Sequence, residues 1–163
     1  MWCCMSRNNQ LSDVLHILLH LMDAEAPMTS AQIGQMLETN AVVVRRTMSG
    51  LRDAGLVSSA KGHGGGWTVS CQPQTTTLAD VYAALGSPPI FSLGNRSDNP
   101  QCLVELCVQE SLRSELSKAE ATLIRSFRRI RLSELSKEFS SRIKDFKAVP
   151  TGDGDRIRWV RRS

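Results

Sequence analysis

With 163 residues, of which 41% are hydrophobic and 22% charged, the chain is long enough for one globular domain with a core and a dimerisation extension. It has no apolar run of the roughly 20 residues that a membrane span needs, no signal-peptide pattern and five irregularly spaced cysteines, so we expect a cytoplasmic protein without a disulfide framework. The formal charge is +4 at pH 7, but residues 142–163 supply all of it and residues 1–141 sum to zero, so nucleic-acid binding would have to rest on local patches.

A helical pattern opens the folded part of the chain. We expect residues 1–10 to form a flexible N-terminus. Residues 11–22, with the sequence LSDVLHILLHLM, place their apolar side chains on one face of a helix. His16 and His20 lie four residues apart on that helix, a spacing that metal ligands use. Because such a pair is more often part of a polar helix face, we predict no metal site.

Two short helices joined by a turn follow this first helix. Thr29 has the character of an N-cap, and Gln32, three residues later, completes a capping box. Asn40 is a good N-cap for the next helix, and Gly55 suits the position just after its C-terminus. The pattern predicts a helix-turn-helix whose second helix carries two adjacent arginines.

A glycine-rich loop between two strand-like runs predicts a wing. Leu56–Ala60 and Trp67–Cys71 have strand character, and residues 61–66, with the sequence KGHGGG, suit the tip of a β-hairpin. Thr77 is predicted to cap a fourth helix, which completes a winged helix-turn-helix domain at residues 11–86.

The rest of the chain predicts a loop, a long helix and a tail. Residues 87–102 are a loop by composition and a possible sensor region. Residues 103–140 are predicted to form a dimerisation helix and a short terminal helix, because apolar residues recur there at heptad-like steps. The predicted dimer interface consists of Leu112, Leu116, Leu123, Phe127 and Ile130. The fold class is therefore mainly α with a small β-hairpin: a winged helix-turn-helix domain plus a long C-terminal dimerisation helix.

Residues 141–163 are expected to be a basic, disordered tail, because the sequence VPTGDGD is typical of disorder. The arginines of this tail could instead add non-specific affinity for DNA through counterion release. The disordered terminus is the simpler of these two interpretations.

The third helix and the wing carry the residues that we expect to contact DNA. A recognition helix enters the major groove with its N-terminus first. Arginine can donate two hydrogen bonds to guanine or clamp a phosphate, and valine can contact thymine methyl groups. Two adjacent arginines alone are more typical of a solvated helix, but the order of elements and a local charge of +3 over residues 40–66 favour DNA binding. The predicted contacts are Thr29, Ser30, Asn40, Val42, Val43, Arg45, Arg46 and Ser49 from the helix-turn-helix, and Lys61, His63 and Gly64 from the wing.

The run SAQIGQMLETNAVVVRRTMSGLRDAGLV, followed by GHGGGW, resembles the Rrf-two (BadM/Rrf-two, IscR-like) family of bacterial winged-helix transcriptional regulators. The resemblance lies in the leucine-rich first helix, in the L-x-x-A-G-L motif at residues 51–56 and in the G-x-x-G-G-aromatic wing at residues 62–67, and it covers about residues 10–140. It implies a homodimer built on the long helix, and two-fold symmetry implies a palindromic operator.

Cys102 and Cys107 bear on the signal that such a regulator would sense. Sensing members of the family bind an iron–sulfur cluster through three cysteines in this region, whereas this chain has two there. The resemblance is therefore to the cluster-free branch, and we predict no cofactor. The pair is also a candidate redox switch, because Cys102 lies near a predicted helix N-terminus, where thiolate is favoured. In the alternative interpretation, Cys107 is simply a small buried apolar residue.

The features together predict a sequence-specific regulator, a repressor, that binds double-stranded DNA as a homodimer and responds to a small-molecule or redox effector. One alternative is a redox- or iron–sulfur-sensing regulator of the same fold that uses Cys102 and Cys107. A second alternative is a winged-helix protein–protein adaptor that does not bind DNA. An enzyme is not expected, because the glycine-rich loop leads into a strand and not into the helix that a phosphate-binding loop requires.

Overall fold

Six helices and two β-hairpins make up the residues that the computed structural model describes, namely 10–62, 64–91, 102–143, 146–150 and 157–161. In chain order they are α1 (Gln10–Asp23), α2 (Ser30–Met36), α3 (Ala41–Asp53), β1 (Val57–Ala60), β2 (Gly66–Val69), α4 (Leu78–Ala84), α5 (Leu103–Phe127), α6 (Leu132–Ile143), β3 (Phe146–Pro150) and β4 (Ile157–Arg161). The antiparallel pairs are β1 with β2 and β3 with β4. Within these ranges, no helix is long and apolar enough to cross a membrane. The predicted mainly α fold with a winged helix-turn-helix is confirmed.

Side chains that the sequence predicted as caps fix the starts of the helices. The backbone N–H of Thr29 donates to Gln32 Oε1 at 2.8 Å, and the Gln32 N–H donates to Thr29 Oγ1 at 3.3 Å. Asn40 Oδ1 accepts the N–H of Val42 at 2.8 Å at the start of α3. A second capping box begins α4. Because these contacts satisfy backbone donors that a helix leaves free at its first turn, the boundaries of the helix-turn-helix are set locally.

One hydrophobic core joins α1, the helix-turn-helix and the wing. α1 packs against β2, α4 and α6, and the inner stripe of α3 is buried against the same core. Full burial of such side chains contributes about 1.5–3 kcal/mol each, so the orientation of α3 is firmly held. Leu132, at the start of α6, is fully buried here, which extends the core beyond the predicted 11–86 domain. The core contains Val14, Ile17, Leu18, Leu21, Ile33, Val44, Met48, Leu51, Leu56, Val57, Trp67, Val81 and Leu132.

The wing is tied directly to the start of α2. Trp67 exchanges two backbone hydrogen bonds with Met28, at 3.1 and 2.8 Å, and its indole Nε1 donates to Ser30 Oγ at 2.9 Å. At Gly66 the two backbones approach so closely that a Cβ atom would lie 2.7 Å from the Met28 carbonyl oxygen. The hairpin and α2 therefore form one rigid unit.

The long helix α5 is attached to the winged domain near its C-terminal end. The ring of Phe127 packs against Tyr82 of α4, with ring centroids 6.1 Å apart. The Tyr82 hydroxyl donates to the carbonyl of Pro88 and lies 3.3 Å from Glu120 Oε1, which also accepts the Ile90 N–H at 3.3 Å. Burial raises the pKa of Tyr82, and the nearby charge of Glu120 raises it further. This network joins α4, the segment after it and α5.

The prediction of a disordered tail at residues 141–163 is wrong for part of that segment. α6 continues to Ile143, and β3 pairs with β4, with Phe146 opposite Arg161 and Pro150 opposite Ile157. The sequences FKAVP and IRWVR contain the aromatic and β-branched residues that favour strands. The prediction gave too much weight to the glycines and aspartates between the two runs.

Candidate nucleic-acid interface

The outward face of α3 follows from its buried face. Because an α-helix has 3.6 residues per turn and the inner stripe packs into the core, Val42, Arg46 and Ser49 lie on the opposite side. Val42 is 63% exposed and Val43 is 38% exposed, while Arg46 is exposed and Ser49 half-buried. The Oδ1 of Asn40 is occupied by the helix cap. A helix presented in this way has the width and exposed polar groups that major-groove contact requires.

A groove of about 560 Å³ runs beside this exposed face. One wall comes from α3 and the other from the start of α1 and the end of α4. No sequence pattern predicts the groove, because residues far apart in the chain meet there only through tertiary packing. Its lining residues are Gln10, Val42, Val43, Arg46, Thr47, Gly50, Ala84 and Leu85.

The three arginines of α3 have different surroundings. Arg46 lines the groove, and the Nε of Arg45 lies 3.5 Å from the carbonyl oxygen of Ala41 in the preceding turn. Arg52 donates two hydrogen bonds to Asp53, at 3.3 and 3.1 Å. This exposed ion pair contributes little stability, but it cancels the charge of Arg52. The predicted local charge of +3 is therefore carried by Arg45, Arg46 and the lysine of the wing.

Two residues predicted to contact DNA also hold the fold together. Thr29 is exposed and forms the capping box of α2. Ser30 is half-buried, and its hydroxyl accepts the indole N–H of Trp67. The Thr29 hydroxyl therefore fixes the start of α2, and the Ser30 hydroxyl holds the wing to α2, whatever contact they make with DNA.

Glycine conformations shape the tip of the wing. Gly62 and Gly64 have φ angles of 99° and 77°, which side chains with a Cβ rarely adopt, and the Gly65 N–H donates to the Gly62 carbonyl at 3.0 Å. Lys61 and Gly64 are exposed at this tip. His63, also predicted to contact DNA, lies outside the described residues.

The residues predicted to form a dimer interface fall into two groups. Leu112 is 49% exposed, whereas the other four are partly buried within the single chain. Phe127 contacts Tyr82, and the carbonyl of Ile130 accepts the Leu78 N–H at 2.9 Å. The C-terminal part of the predicted dimer interface therefore holds α5 to its own winged domain. The exposed large apolar side chains of α5 lie in its first half: Leu103, Val104, Leu106, Val108 and Leu112.

The described cysteines do not lie together in one buried site. Cys102 occupies the N-cap position of α5, and both Cys102 and Cys107 are exposed, while Cys71 after the wing is partly buried. The interpretation of Cys107 as a buried apolar residue is therefore wrong. It failed because the heptad-like pattern does not show which turns of α5 remain uncovered in a single chain.

The two histidines of α1 lie at its contact with α6. Their rings are 4.8 Å apart, and the ring of His20 also lies 5.6 Å from that of Phe139. Burial lowers the pKa of His20, the neighbouring His16 lowers it further, and Asp23 acts in the opposite direction. Among the residues that the structure describes, no three histidine, cysteine or acidic side chains are placed to hold a metal ion.

Known proteins share both the sequence pattern and the fold. The sequence profile described as "Rrf2: Iron-dependent Transcriptional regulator" matches residues 7–138. YwnA of Bacillus subtilis (strain 168), an HTH-type transcriptional regulator by name, is 30% identical over 105 residues, which cover 64% of this chain and 77% of YwnA. CymR (YrzC), the global cysteine regulator of B. subtilis, has a TM-score of 0.57 at 19% identity, over 85% of this chain and 98% of its own. T. potens IscR has a TM-score of 0.56 at 16% identity, over 86% and 90%.

The two cysteines at the start of α5 do not fit the iron dependence named in the profile. Iron–sulfur clusters are held mainly by cysteine thiolates, commonly four. Cys102 and Cys107 are both solvent-exposed, and residues 92–101 before them contain neither cysteine nor histidine. These two thiols fall short of the ligands that a cluster needs.

Proposed function

Because this chain belongs to the Rrf-two family of transcriptional regulators, we propose that it is a sequence-specific repressor that binds a palindromic operator in the cytoplasm as a homodimer. One observation carries the proposal: Arg46 and two exposed valines line a groove beside the outward face of α3. The opposite face of that helix is locked in the core. The wing beside it is fixed to α2 through Trp67.

In the proposed complex, α3 lies in the major groove. Arg46, at the centre of the exposed face, donates two hydrogen bonds to guanine O6 and N7. Val42 and Val43 contact thymine methyl groups, and Arg45, at the flank, binds a phosphate. Ser49 and the Asn40 amide add polar contacts near the same face. From the wing, Lys61, His63 and Gly64 contact the minor groove or the backbone, where a glycine-rich tip permits close approach.

Two copies of this surface are needed because one is small. Three cations per protomer supply little of the phosphate neutralisation on which DNA affinity depends. The first half of α5 exposes five large apolar side chains, and three of them, Val104, Val108 and Leu112, recur every four residues on one face of the helix. Burial of that face against a second α5 would place two recognition helices about a two-fold axis. Half-sites about 10 base pairs apart, or a multiple of that spacing, match such a dimer.

The cysteine set supports a regulator that works without an iron–sulfur cluster. The protein purified without air is then expected to be colourless, and visible absorption by a bound cluster would contradict this part of the proposal. The exposure of Cys102 and Cys107 favours a second candidate, in which oxidation of these thiols is the input. Peroxide should then lower the operator affinity of the wild type but not that of a Cys102→Ser, Cys107→Ser variant.

The central test is selection of bound duplexes from a random DNA pool with the full chain. We expect the selected duplexes to contain an inverted repeat with the half-site spacing given above. We also expect the protein to repress a reporter gene placed downstream of that repeat. Failure to retard any duplex at low salt would contradict DNA binding and favour the protein–protein adaptor.

A further inference from the structure

The net charge of the chain lies outside the part that matches the family. Residues 7–138 contain 13 lysines and arginines and 13 aspartates and glutamates, so they sum to zero. Residues 142–163 contain seven basic and three acidic residues, which account for the whole +4. The winged-helix body would therefore approach a polyanion with no net attraction beyond its local patch.

This basic extension contains a paired β-ribbon, defined here as β3 and β4 and called the C-terminal ribbon. Lys147 lies opposite Val160, and Val149 lies opposite Arg158. Because directly opposed residues of an antiparallel pair share a face, both cations occupy the same face of the ribbon. Neither strand contains an acidic residue. Two-stranded ribbons of this kind are among the elements that proteins place against DNA.

We propose that the C-terminal ribbon is a second, sequence-independent contact with the phosphate backbone of duplex DNA. The inference rests on the proposed function and assigns it an additional surface. Lys147 and Arg158 share one face, whereas Arg161 lies opposite Phe146 on the other. The two cations of the first face add to the three that the ion pair between Arg52 and Asp53 leaves to the helix-turn-helix and wing. That face of the ribbon thus raises the number of cations that each protomer presents to phosphate from three to five. Its effect is to raise affinity for all duplexes, while α3 selects among them.

The test measures how the affinity of the full chain for a random-sequence duplex changes with salt, by fluorescence anisotropy. The ribbon variant is Lys147→Thr, Arg158→Thr, because threonine retains a preference for strands. The matched control removes two exposed cations, one from α5 and one from the turn after it, as Arg113→Gln, Arg129→Gln, and gives the same change in net charge. Circular dichroism and molar mass must match the wild type in both variants.

Each lost phosphate contact reduces the slope of log affinity against log salt by about 0.9. We expect the ribbon variant to lose at least about two units of slope per dimer and at least tenfold in low-salt affinity, while the control changes by less than half as much. Equal behaviour of the two variants would overturn the inference. Loss of binding to anionic phospholipid vesicles with an unchanged DNA slope would also overturn it and assign the ribbon to membranes.

The inference and the proposed function fail in distinguishable ways. If the wild type binds no duplex at all, the proposed function is wrong and the ribbon has no DNA to contact. If the wild type binds and prefers its operator, but the ribbon variant has the slope of the control, the inference alone is wrong.

Discussion

Arg46 and Arg52 are the same residue type on one helix, but their surroundings differ. Arg46 lines the groove beside the exposed face, whereas Arg52 is held by Asp53. We expect Arg46→Ala to weaken operator binding by about 1–3 kcal/mol and to affect a scrambled duplex less. Arg52→Ala should change both affinities much less. Anisotropy titrations on the two duplexes check this; an equal loss on both for Arg46→Ala would show a phosphate contact and not a base contact.

Gly66 and Gly50 provide a matched pair for stability. A methyl group at Gly66 would lie 2.7 Å from the Met28 carbonyl oxygen, whereas at Gly50 nothing lies within 4 Å. We expect Gly66→Ala to lower the free energy of unfolding by about 1–3 kcal/mol, because the wing must move away from α2. Gly50→Ala, in the middle of α3, should raise it by about 0.5–1 kcal/mol. Urea denaturation measures both, and an unchanged stability for Gly66→Ala would show that the wing is loosely held.

At the scale of elements, the sequence predicts structure best where the determinants are local. The caps at Thr29 and Asn40 use backbone groups within three residues, so residue types at short spacing suffice to predict them. The wing is similar, because glycines between two strand-like runs supply the positive φ angles that a tight hairpin turn requires.

Elements whose position depends on distant partners were harder to predict. The heptad-like spacing placed Phe127 at a dimer interface, but a spacing alone does not say whether the partner helix belongs to another copy or to the same chain. Here Phe127 packs against Tyr82 of its own chain. The groove beside α3 has no sequence pattern, because Gln10 and Leu85 reach it from other helices.

The contact between α1 and α6 is expected to make stability depend on pH. Because burial lowers the pKa of His20, the native state takes up a proton less readily than the unfolded chain, where the pKa is about 6.5. The contribution of neutral His20 to the free energy of unfolding is therefore complete above the unfolded pKa. It is lost as pH falls through the lower native pKa. His16 acts in the same direction and Asp23 opposes it.

Denaturation at about pH 8 and about pH 5 should show this loss in the wild type. His20→Gln removes the titrating ring, and we expect its free energy of unfolding to change less over the same interval. Identical pH dependence in the two proteins would assign the effect to other groups.

At the scale of the whole molecule, the proposed complex draws sequence recognition and electrostatic attraction to DNA from different parts of the chain. The winged domain carries the shape-selective surface on a body with no net charge, and the excess of positive charge lies in the extension beyond residue 141. Under the proposed function this division requires a dimer, since each recognition surface is small. The exposed first half of α5 is the apolar surface available for it.

Leu112 tests that arrangement. It is 49% exposed in the single chain and would be buried between two copies of α5, where an unpaired charge is costly. We expect Leu112→Asp to give a monomer of 18.0 kDa by light scattering, with the winged domain intact and affinity for the full palindrome reduced toward that for a single half-site. Ser114→Asp adds the same charge to another side of α5 and should leave the dimer unchanged. If the wild type itself has the mass of one chain, or if both variants remain dimeric, the first half of α5 is not the interface, and the spacing of the half-sites must be set by a different surface.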